Sequence, residues 1–197
     1  QHSQSLEACL THFPGLKVVV PSTPYDAKGL LKTAIRDDNP VMFLEQKTLY
    51  RTKGEVPETD YVIPLGKADI KREGTDCTII TYGRMVHMSL EAANRLEEEG
   101  IQVEVLDLRR LLPLDTEAIV ESVKKTKHAL IVHEAVQFGG FGGEICGQIA
   151  DSEAFYYLDA PIRRLGAKST PIPFNPKLEA ETFPTVDKIY ASVKQLV

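Results

Sequence analysis

Hydrophobic positions near the start of the chain predict a strand, a helix and a second strand in succession. The run Lys17–Val20 (KVVV) is rich in β-branched residues, which favours a buried strand. Residues 22–24 (STP) suit a helix N-terminus, and apolar residues then recur at helical spacing as far as about Arg36. Residues 37–40 (DDNP) end this helix, and Val41–Leu44 predicts the next buried strand.

A second series of alternating strands and helices follows a stretch without periodicity. From Tyr50 to about Gly74 charge, glycine and proline accumulate, which predicts an irregular connection between domains. Beyond it we predict strand Cys77–Tyr82, helix Val86–Glu99 capped by Gly100, strand Val103–Leu108, helix Thr116–Lys125, strand Ala129–His133, helix Glu144–Ser152 and an amphipathic helix over 185–196. This alternation predicts an α/β fold, in which helices cover both faces of a mainly parallel sheet.

Composition narrows the class of protein. With 43% hydrophobic residues over 197 positions the chain can bury a core, and its length suits one domain plus a piece of another. The net charge is -5 and both signs are interspersed, which argues against nucleic-acid binding. No apolar run reaches the roughly 20 residues that span a bilayer, and no leader opens the chain. We expect a bacterial cytoplasm or an organelle matrix, and a natural polypeptide that begins before Gln1.

Cysteine and histidine spacing indicates neither disulfides nor zinc. The three cysteines, Cys9, Cys77 and Cys146, are odd in number and far apart, so we expect small buried apolar side chains. The five histidines do not pair with cysteines or carboxylates at the spacing of metal ligands.

Two features near residue 140 each allow two interpretations. The turn at 139–143 (GGFGG) follows a strand, but it lacks the lysine and hydroxyl of a P-loop and the spacing of a dinucleotide fingerprint. A tight turn that lets a helix pack on the sheet is the favoured interpretation. His133 and Glu134 end a predicted strand at the edge where α/β sheets bind ligands. Either they act there, or the imidazole holds the next loop by a hydrogen bond.

The N-terminal segment QHSQSLEA contains the strongest candidate for chemistry. His2 lies among Ser3, Gln4, Ser5 and Glu7, all of which can orient or polarise an imidazole. Imidazole exchanges protons near neutral pH, so His2 is a candidate catalytic residue. On these residues alone, a solvated turn or cap remains the alternative.

Six segments together resemble one family over essentially the whole chain. They are QHSQSLEA, PGLKVVVPSTPYDAKGLLKTAIRDDNPVMFLE, IPLGKADIKREGTD, DLRRLLPLD, HEAVQFGGFGGEI and LDAPIRRLGA. The chain is similar to the C-terminal two-thirds of beta subunits of thiamine-diphosphate-dependent pyruvate, branched-chain 2-oxo acid and acetoin dehydrogenases. The resemblance implies the end of a pyrimidine-binding domain at 1–55, a linker at 56–70 and a transketolase C-terminal-type domain at 71–197, with a mixed sheet of about five strands.

The resemblance also implies an activity and its partners. Such enzymes cleave the substrate next to its carbonyl and pass the acyl group to lipoyl groups, and His2 matches their active-site histidine. Thiamine diphosphate and magnesium are shared with an alpha subunit, and the activating glutamate lies upstream, so this chain alone is expected to be inactive. Implied partners are the alpha subunit in a heterotetramer of two alpha and two beta chains, the second beta subunit, and the subunit-binding and lipoyl domains of the acyltransferase.

Two further sites come from the resemblance, each with a structural alternative. Oxygens of Ala34, Asp37 and Asn39 match a potassium site, and an ordinary helix end is the alternative. Asp159 and the C-terminal Val197 match positions that meet the subunit-binding domain, and a simple turn residue is the alternative for Asp159.

Substrate and role stay open at this level. The HEAVQFGGFGGEI and LDAPIRRLGA segments look slightly closer to the acetoin and branched-chain types than to the commonest pyruvate type. A non-catalytic module for dimerisation and acyltransferase docking is the second hypothesis. A transketolase or 1-deoxyxylulose-phosphate synthase relative is the third, but the chain carries HSQS together with AIRDDN, a combination that these enzymes lack.

Overall fold

A computed structural model describes residues 3–197 as an α/β fold. The strands are β1 Lys17–Val19, β2 Val41–Phe43, β3 Asp69–Arg72, β4 Cys77–Thr81, β5 Val103–Asp107, β6 Arg110–Leu112, β7 Ala129–Val136 and β8 Arg163–Ala167. The helices are α1 Glu7–Thr11, α2 Pro24–Ile35, α3 Arg84–Glu97, α4 Thr116–Thr126, α5 Gly142–Ala150, α6 Pro176–Thr182 and α7 Val186–Lys194. Short 3-10 turns lie at Lys47–Leu49 and Glu153–Tyr157.

The larger sheet has five strands in the order β3-β5-β4-β7-β8. Strand β3 runs antiparallel to β5, whereas the β4–β5, β4–β7 and β7–β8 pairs are all parallel. The prediction of a mixed, mainly parallel sheet is therefore confirmed. Right-handed crossover helices are the usual way to connect such parallel strands, because a hairpin cannot join them.

Helices cover both faces of this sheet, as the strand pattern predicts. Alternate residues of each central strand point to opposite faces, so Ile79 packs in the core with α3 and α7, and Ile80 packs in the core with α4 and α5. Both isoleucines are fully buried, as expected for a parallel sheet between two helical layers. The arrangement is the three-layer α/β/α architecture.

A small sheet joins the two series of elements. Its order is β2-β1-β6, with β1 parallel to β2 and antiparallel to β6. Val18 packs into the core formed with the larger sheet, whereas Val19 packs on Leu30 of α2. The first 50 residues and the second series are therefore joined by backbone hydrogen bonds and by a shared core.

Most element boundaries lie within two or three residues of prediction, and the misses have physical reasons. The irregular connection predicted from Tyr50 to Gly74 contains β3, an edge strand (DIKR) that is too polar to be recognised from hydrophobic pattern. Strands β6 and β8 and helix α6 were also missed, and β8 is an edge strand that begins with two arginines. Glu98, not Gly100, caps α3, although Gly100 adopts a positive φ just beyond it.

The cysteine prediction was partly wrong. All three cysteines are free, and Cys77 is buried in β4, but Cys9 is exposed and Cys146 is only partly buried. Helix α1 carries Cys9 on a short surface segment, so an apolar sequence context did not ensure burial.

Candidate functional site

A cavity of about 500 Å³ opens at the carboxyl end of the larger sheet. Residues 3–7 (SQSLE) line one side of it, and Glu134 of β7 lines the other together with Arg84, the first residue of α3. Leu44 and Gln46, which follow β2, also line the cavity. Parallel α/β sheets bind ligands at this edge, because loops diverge there.

Glu7 is buried at this cavity without a full set of partners. Its side chain is only 4% exposed, and its Oε2 atom has no hydrogen-bond partner among the described residues. Burial, with a smaller effect from the charge of Glu134, raises the pKa of Glu7 to about 7. Tyr82, directly after β4, is also buried, and its hydroxyl has no hydrogen-bond partner within residues 3–197; burial raises its pKa well above the usual value.

His133 is fully buried beneath the glycine-rich turn. A Cβ on Gly140, Gly142 or Gly166 would approach the imidazole ring to 2.7, 2.6 or 2.8 Å, so only glycine permits this packing. The ring lies parallel to Tyr82, with centroids 6.4 Å apart. Neither ring nitrogen has a hydrogen-bond partner of standard geometry in the described part of the chain, although the backbone of Ala135 interacts with the imidazole and opposes part of the effect of burial on its pKa. Burial lowers the pKa of His133 to about 4.

The glycine-rich turn therefore has a structural explanation. Gly139 adopts φ 68° and the next glycines press against His133, as expected for a turn that brings α5 close to the sheet. We call Glu7, Tyr82, His133 and Glu134 the cavity cluster. These residues belong to α1, the end of β4 and β7, which meet at the carboxyl edge of the sheet.

Glu134 differs from Glu7 because polar groups surround it. Gln46 Nε2 donates to Glu134 Oε2 at 3.3 Å, and a guanidinium nitrogen of Arg84 lies 3.9 Å from the same oxygen. The carbonyl oxygen of the Gln46 side chain accepts a hydrogen bond from the backbone N–H of Arg84. Burial raises the pKa of Glu134, and the charge of Arg84 opposes that effect.

A second buried set of charges lies between α2 and the larger sheet. Lys71 Nζ is 2.7 Å from Asp26 and from Asp69, and Arg109 lies 2.7 Å from Asp26 and 2.6 Å from Asp69. Asp107 is 3.7 Å from Lys71, and burial raises its pKa to about 6. We call these five residues the ionic cluster.

Two of the three potassium ligands named in the sequence prediction come together, with protein partners. One oxygen of Asp37 lies 2.5 Å from Lys17 Nζ, and the other accepts from the backbone and side-chain N–H groups of Asn39 at 2.9 and 3.0 Å. The hydrogen bonds from Lys17 and Asn39 lower the pKa of Asp37 to about 2. The carbonyl of Ala34 at the end of α2 accepts from Arg36 and, at 3.4 Å, from Asp37.

The remaining predicted positions lie apart from the cavity. His2 falls outside the described residues. Asp159 is exposed and its carboxylate is 3.6 Å from Lys127 Nζ, while Val197 is 45% exposed after α7. Within residues 3–197 no three or more His, Cys, Asp or Glu side chains form a group that could hold a metal ion.

Sequence reasoning missed Arg84 and Gln46 as cavity residues and Tyr82 as a buried member of the cavity cluster. Tyr82 follows the strand CTIIT directly, so its place at the carboxyl edge was accessible from the strand pattern. Arg84 and Gln46 gave no local signal, because their contact depends on Gly83, whose missing side chain admits the Gln46 amide. No helix in the described part of the chain is long and apolar enough to cross a membrane.

Comparison with family models identifies both parts of the chain. The transketolase C-terminal domain matches residues 66–189, and the transketolase pyrimidine binding domain matches residues 1–53. The chain belongs to the transketolase C-terminal domain family. The cavity of this transketolase-type chain lies where the two matched parts meet, because residues 3–7 and 44–46 face Glu134 across it.

Three relatives of this transketolase-type chain are beta subunits of enzymes from Bacillus subtilis. The chain is 53% identical to the acetoin:2,6-dichlorophenolindophenol oxidoreductase subunit beta, covering 100% of this chain and 57% of the relative. It is 51% identical to the 2-oxoisovalerate dehydrogenase subunit beta, covering 99% and 60%, and 54% identical to the pyruvate dehydrogenase E1 component subunit beta, covering 88% and 54%. The chain thus spans a little over half the length of these relatives.

A solved structure supports the architecture. The structure, described as a split gene transketolase, inactive beta4 tetramer, matches with a TM-score of 0.80 at 27% identity, covering 96% of this chain and 60% of that one. The transketolase-type fold predicted from the sequence is therefore confirmed.

Proposed function

We propose that the chain is part of the beta subunit of a thiamine-diphosphate-dependent 2-oxo acid or acetoin dehydrogenase, an oxidoreductase. One observation supports this beyond the named relatives: Ser3 to Glu7, the segment directly after His2, lines a cavity at the ligand-binding edge of the sheet. An imidazole on the segment that enters this cavity could exchange a proton with a substrate there. The domain division at 1–55, 56–70 and 71–197 is part of the same proposal.

In this proposal the chain positions the reacting groups and manages protons. Thiamine diphosphate, when bound, supplies the electron sink for cleavage of the bond next to the substrate carbonyl. His2 orients the reacting group and delivers a proton during transfer to a lipoyl group. Leu6 and Leu44 give the cavity apolar walls, which strengthen polar interactions inside it. In this proposal the diphosphate and its magnesium belong to the alpha subunit, as the resemblance to the family implies.

Replacement of His2 tests the proposal. In the full-length beta subunit assembled with its alpha subunit, His2→Ala should lower lipoyl acylation about 100-fold or more, the range of general acid–base catalysis. His12→Ala is the matched control, because His12 is exposed and does not line the cavity. Near-normal acylation by the His2 variant would exclude the catalytic role.

Identity to relatives does not decide the substrate. The three named relatives differ in substrate but lie between 51% and 54% identity. We propose an acyl donor from the set pyruvate, acetoin and 3-methyl-2-oxobutanoate. Comparing kcat/KM for the three in the assembled enzyme, with reduction of a dye as the readout, identifies it. No dye reduction with any of the three would contradict the proposed class of substrate.

Assembly with other chains belongs to the same proposal. We propose an alpha subunit, a second beta subunit, and the subunit-binding and lipoyl domains of an acyltransferase as partners, in a cytoplasm or an organelle matrix. Asp159 is 58% exposed at its side chain, so it is accessible to a basic partner. Asp159→Ala should weaken binding of the subunit-binding domain and reduce its salt dependence, whereas exposed Asp151→Ala should not. Unchanged, salt-insensitive binding would contradict this.

The non-catalytic assembly role is the second candidate, and exposed aromatic residues favour it. Phe155, Tyr156 and Tyr157, on the turn before Asp159, are 54%, 86% and 43% exposed, which is typical of a surface that contacts protein. Both roles hold together if His2→Ala removes acylation but leaves the heterotetramer intact by light scattering.

Potassium is the last part of the proposal. The carbonyl of Ala34 lies in the last turn of α2 and accepts hydrogen bonds from Arg36 and Asp37, and the oxygens of Asp37 and Asn39 follow it closely in the sequence. Lys17 already provides one positive charge at Asp37, so we expect a small effect of potassium. The assembled enzyme should melt at a higher temperature in KCl than in tetramethylammonium chloride. Asp37→Asn should remove the difference, and exposed Asp38→Asn should keep it.

A further inference from the structure

Glu7 is a buried acid whose charge no group in the described chain offsets. It begins α1, it is only 4% exposed, and it lines the cavity at the carboxyl end of the larger sheet. Its Oε2 atom has neither a hydrogen-bond partner nor a counter-charge among residues 3–197. A buried carboxylate without compensation is unstable, so Glu7 either holds a proton or pairs with a positive group that enters the cavity.

The charged side chains around the cavity are mainly acidic. The acids on its wall are Glu7, Glu45, Glu134 and Glu179, and the bases are Lys47 and Arg84. A guanidinium nitrogen of Arg84 lies 3.9 Å from the Glu134 carboxylate and offsets part of its charge. Glu134 is in turn near enough for its charge to act on Glu7. Because acids outnumber bases here, the cavity favours a cation over an anion.

The rest of the wall suits an organic cation better than a metal ion. Leu6, Leu10 and Leu44 provide apolar surface, on which an aliphatic stem can pack while its charged end reaches the acids. Within residues 3–197 no three His, Cys, Asp or Glu side chains form a group that could hold a metal ion. The volume of about 500 Å³ is in the range of sites that bind small organic groups.

We propose that the cavity binds an alkylammonium or alkylguanidinium group, whose positive charge lies between Glu7 and Glu134 and whose stem packs on the leucines. The group belongs to a free amine or guanidine, or to a lysine or arginine side chain of a partner chain, since these present the same chemistry. Its charge is the compensation that Glu7 lacks. This site is additional to the proposed activity and does not involve His2.

Two probes that differ in charge but not in shape test the site. n-Butylguanidinium carries the positive charge, and n-butylurea is its neutral counterpart. In NMR titrations of the full-length beta subunit at pH 8, the guanidinium should bind at least about tenfold more tightly than the urea, because hydrogen bonds to charged groups are the stronger ones. Equal affinities of the two probes would overturn the proposal.

Variants of the acids locate the bound charge. Glu7→Gln keeps the size of the side chain and should weaken n-butylguanidinium binding about tenfold or more. Glu134→Gln should weaken it less, because Arg84 already offsets part of that charge. Arg84→Gln removes a competing cation and should strengthen it. Glu91→Gln, exposed on α3, is the control and should bind as the wild type does. Wild-type affinity in Glu7→Gln would contradict the proposed site.

Assembly distinguishes the two sources of the cation. If a side chain of the proposed alpha subunit fills the cavity, adding that subunit should abolish n-butylguanidinium binding. If the natural ligand is a free amine or guanidine, the assembled enzyme should retain the affinity of the beta subunit. The site itself is tested in the beta subunit, so either result identifies the source.

The pH dependence of the wild type tests the site without a substitution. Burial raises the pKa of Glu7 to about 7, so the carboxylate that a cation requires forms as the pH rises through that value. Affinity for n-butylguanidinium should therefore increase about tenfold from pH 6 to pH 8, and n-butylurea should show no such increase.

Other titratable groups surround Glu7, and Glu7→Gln separates their effect from its own. The groups on neighbouring elements are Lys17 on β1, Arg110 on β6, Tyr82 after β4 and His133 on β7, besides Glu45, Lys47, Arg84, Glu134 and Glu179 on the cavity wall. Burial lowers the pKa of His133 to about 4, so this imidazole stays neutral between pH 6 and pH 8. The increase in affinity should be lost in Glu7→Gln. A flat or falling affinity in the wild type would overturn the proposal.

Discussion

Two buried groups of titratable side chains differ in how their charges are satisfied. In the ionic cluster each carboxylate has an ammonium or guanidinium group nearby, with Asp26 held by Lys71 and Arg109 at 2.7 Å. In the cavity cluster Glu7, Tyr82 and His133 all carry buried polar atoms without partners among the described residues. The first group pairs opposite charges within the chain, although Asp26 Oδ1 and Arg109 Nε form no hydrogen bond among the described residues. In the second group Glu7 lines the cavity with a buried oxygen that has neither a hydrogen-bond partner nor a counter-charge among the described residues, which is the difference expected between structural and functional polar groups.

Removal of Asp26 should be the most damaging single change in either cluster. Asp26→Ala would leave Lys71 and Arg109, both largely buried, with the partly exposed Asp69 as their shared carboxylate and without the buried one. Breaking a buried ion pair from one side costs about 3–5 kcal/mol of unfolding free energy. Urea unfolding measures the loss. Asp60→Ala is the control, because its pairs with Lys32 and Arg36 are exposed and contribute at most about 1 kcal/mol. Equal losses of unfolding free energy in Asp26→Ala and Asp60→Ala would contradict this difference between buried and exposed ion pairs.

The pH dependence of stability should report the burial of Glu7. Its pKa is about 7 in the folded chain and 4.5 in the reference state, so the folded state binds the extra proton between these values. Its contribution is therefore intact below pH 4.5 and is lost as the pH rises to about 7. Relative to the wild type, the unfolding free energy of Glu7→Gln should rise by about 3 kcal/mol across this pH window, because a shift of one pKa unit corresponds to about 1.4 kcal/mol.

His133 should act in the opposite direction. Its pKa falls from 6.5 to about 4 on folding, so its contribution to stability is present above pH 6.5 and lost as the pH falls to about 4. The unfolding free energy of the wild-type chain should therefore change little with pH, because the two contributions oppose each other. In Glu7→Gln the contribution of His133 remains, so the unfolding free energy should rise with pH. Unfolding free energies measured at several pH values decide this, and parallel profiles for both proteins would contradict it. Asp107 is present in both proteins, so its contribution cancels from the difference in unfolding free energy between the wild type and Glu7→Gln.

Glycine packing on His133 should have an intermediate effect. In Gly142→Ala the new methyl would lie 2.6 Å from the imidazole, and such overpacking costs about 1–3 kcal/mol. Gly147→Ala lies in the same helix with no atom within 4 Å of its Cβ, so it should stabilise by up to about 1 kcal/mol. Thermal unfolding of the two variants should shift in opposite directions. A destabilised Gly147→Ala would mean that α5 itself, not contact with His133, is sensitive.

The local sequence pattern predicted most of the helices and strands, but it did not predict which polar residues contact each other. Helix α2 was predictable because Thr23 caps it and Pro24 begins it, both local signals. Strand β3 was not, because Ile70 is its only large aliphatic residue and its stability comes from pairing with β5 and from Lys71 in the ionic cluster.

The same limit applies to the candidate site. The sequence identified the segment from His2 to Glu7 as a polar cluster, and the cavity lies beside its described part. It gave no sign that the charge of Glu7 acts on Tyr82, because the two are 75 positions apart in the sequence and their proximity depends on how α1 packs in the fold. The burial of Glu7 therefore depends on long-range packing, which the local sequence pattern does not reveal.

The smallest effect should come from the Tyr82 hydroxyl. Because this buried hydroxyl has no partner among the described residues, Tyr82→Phe removes an uncompensated polar group and should leave stability unchanged or slightly higher. Thr78→Val is the contrast, since the Thr78 hydroxyl contacts Thr126 at 2.7 Å and the Ser122 carbonyl at 3.2 Å. Its loss should cost about 1–3 kcal/mol in urea unfolding. A comparable loss in Tyr82→Phe would show that the hydroxyl has a partner within the chain, and Tyr82 would then not differ from the ionic cluster in this respect.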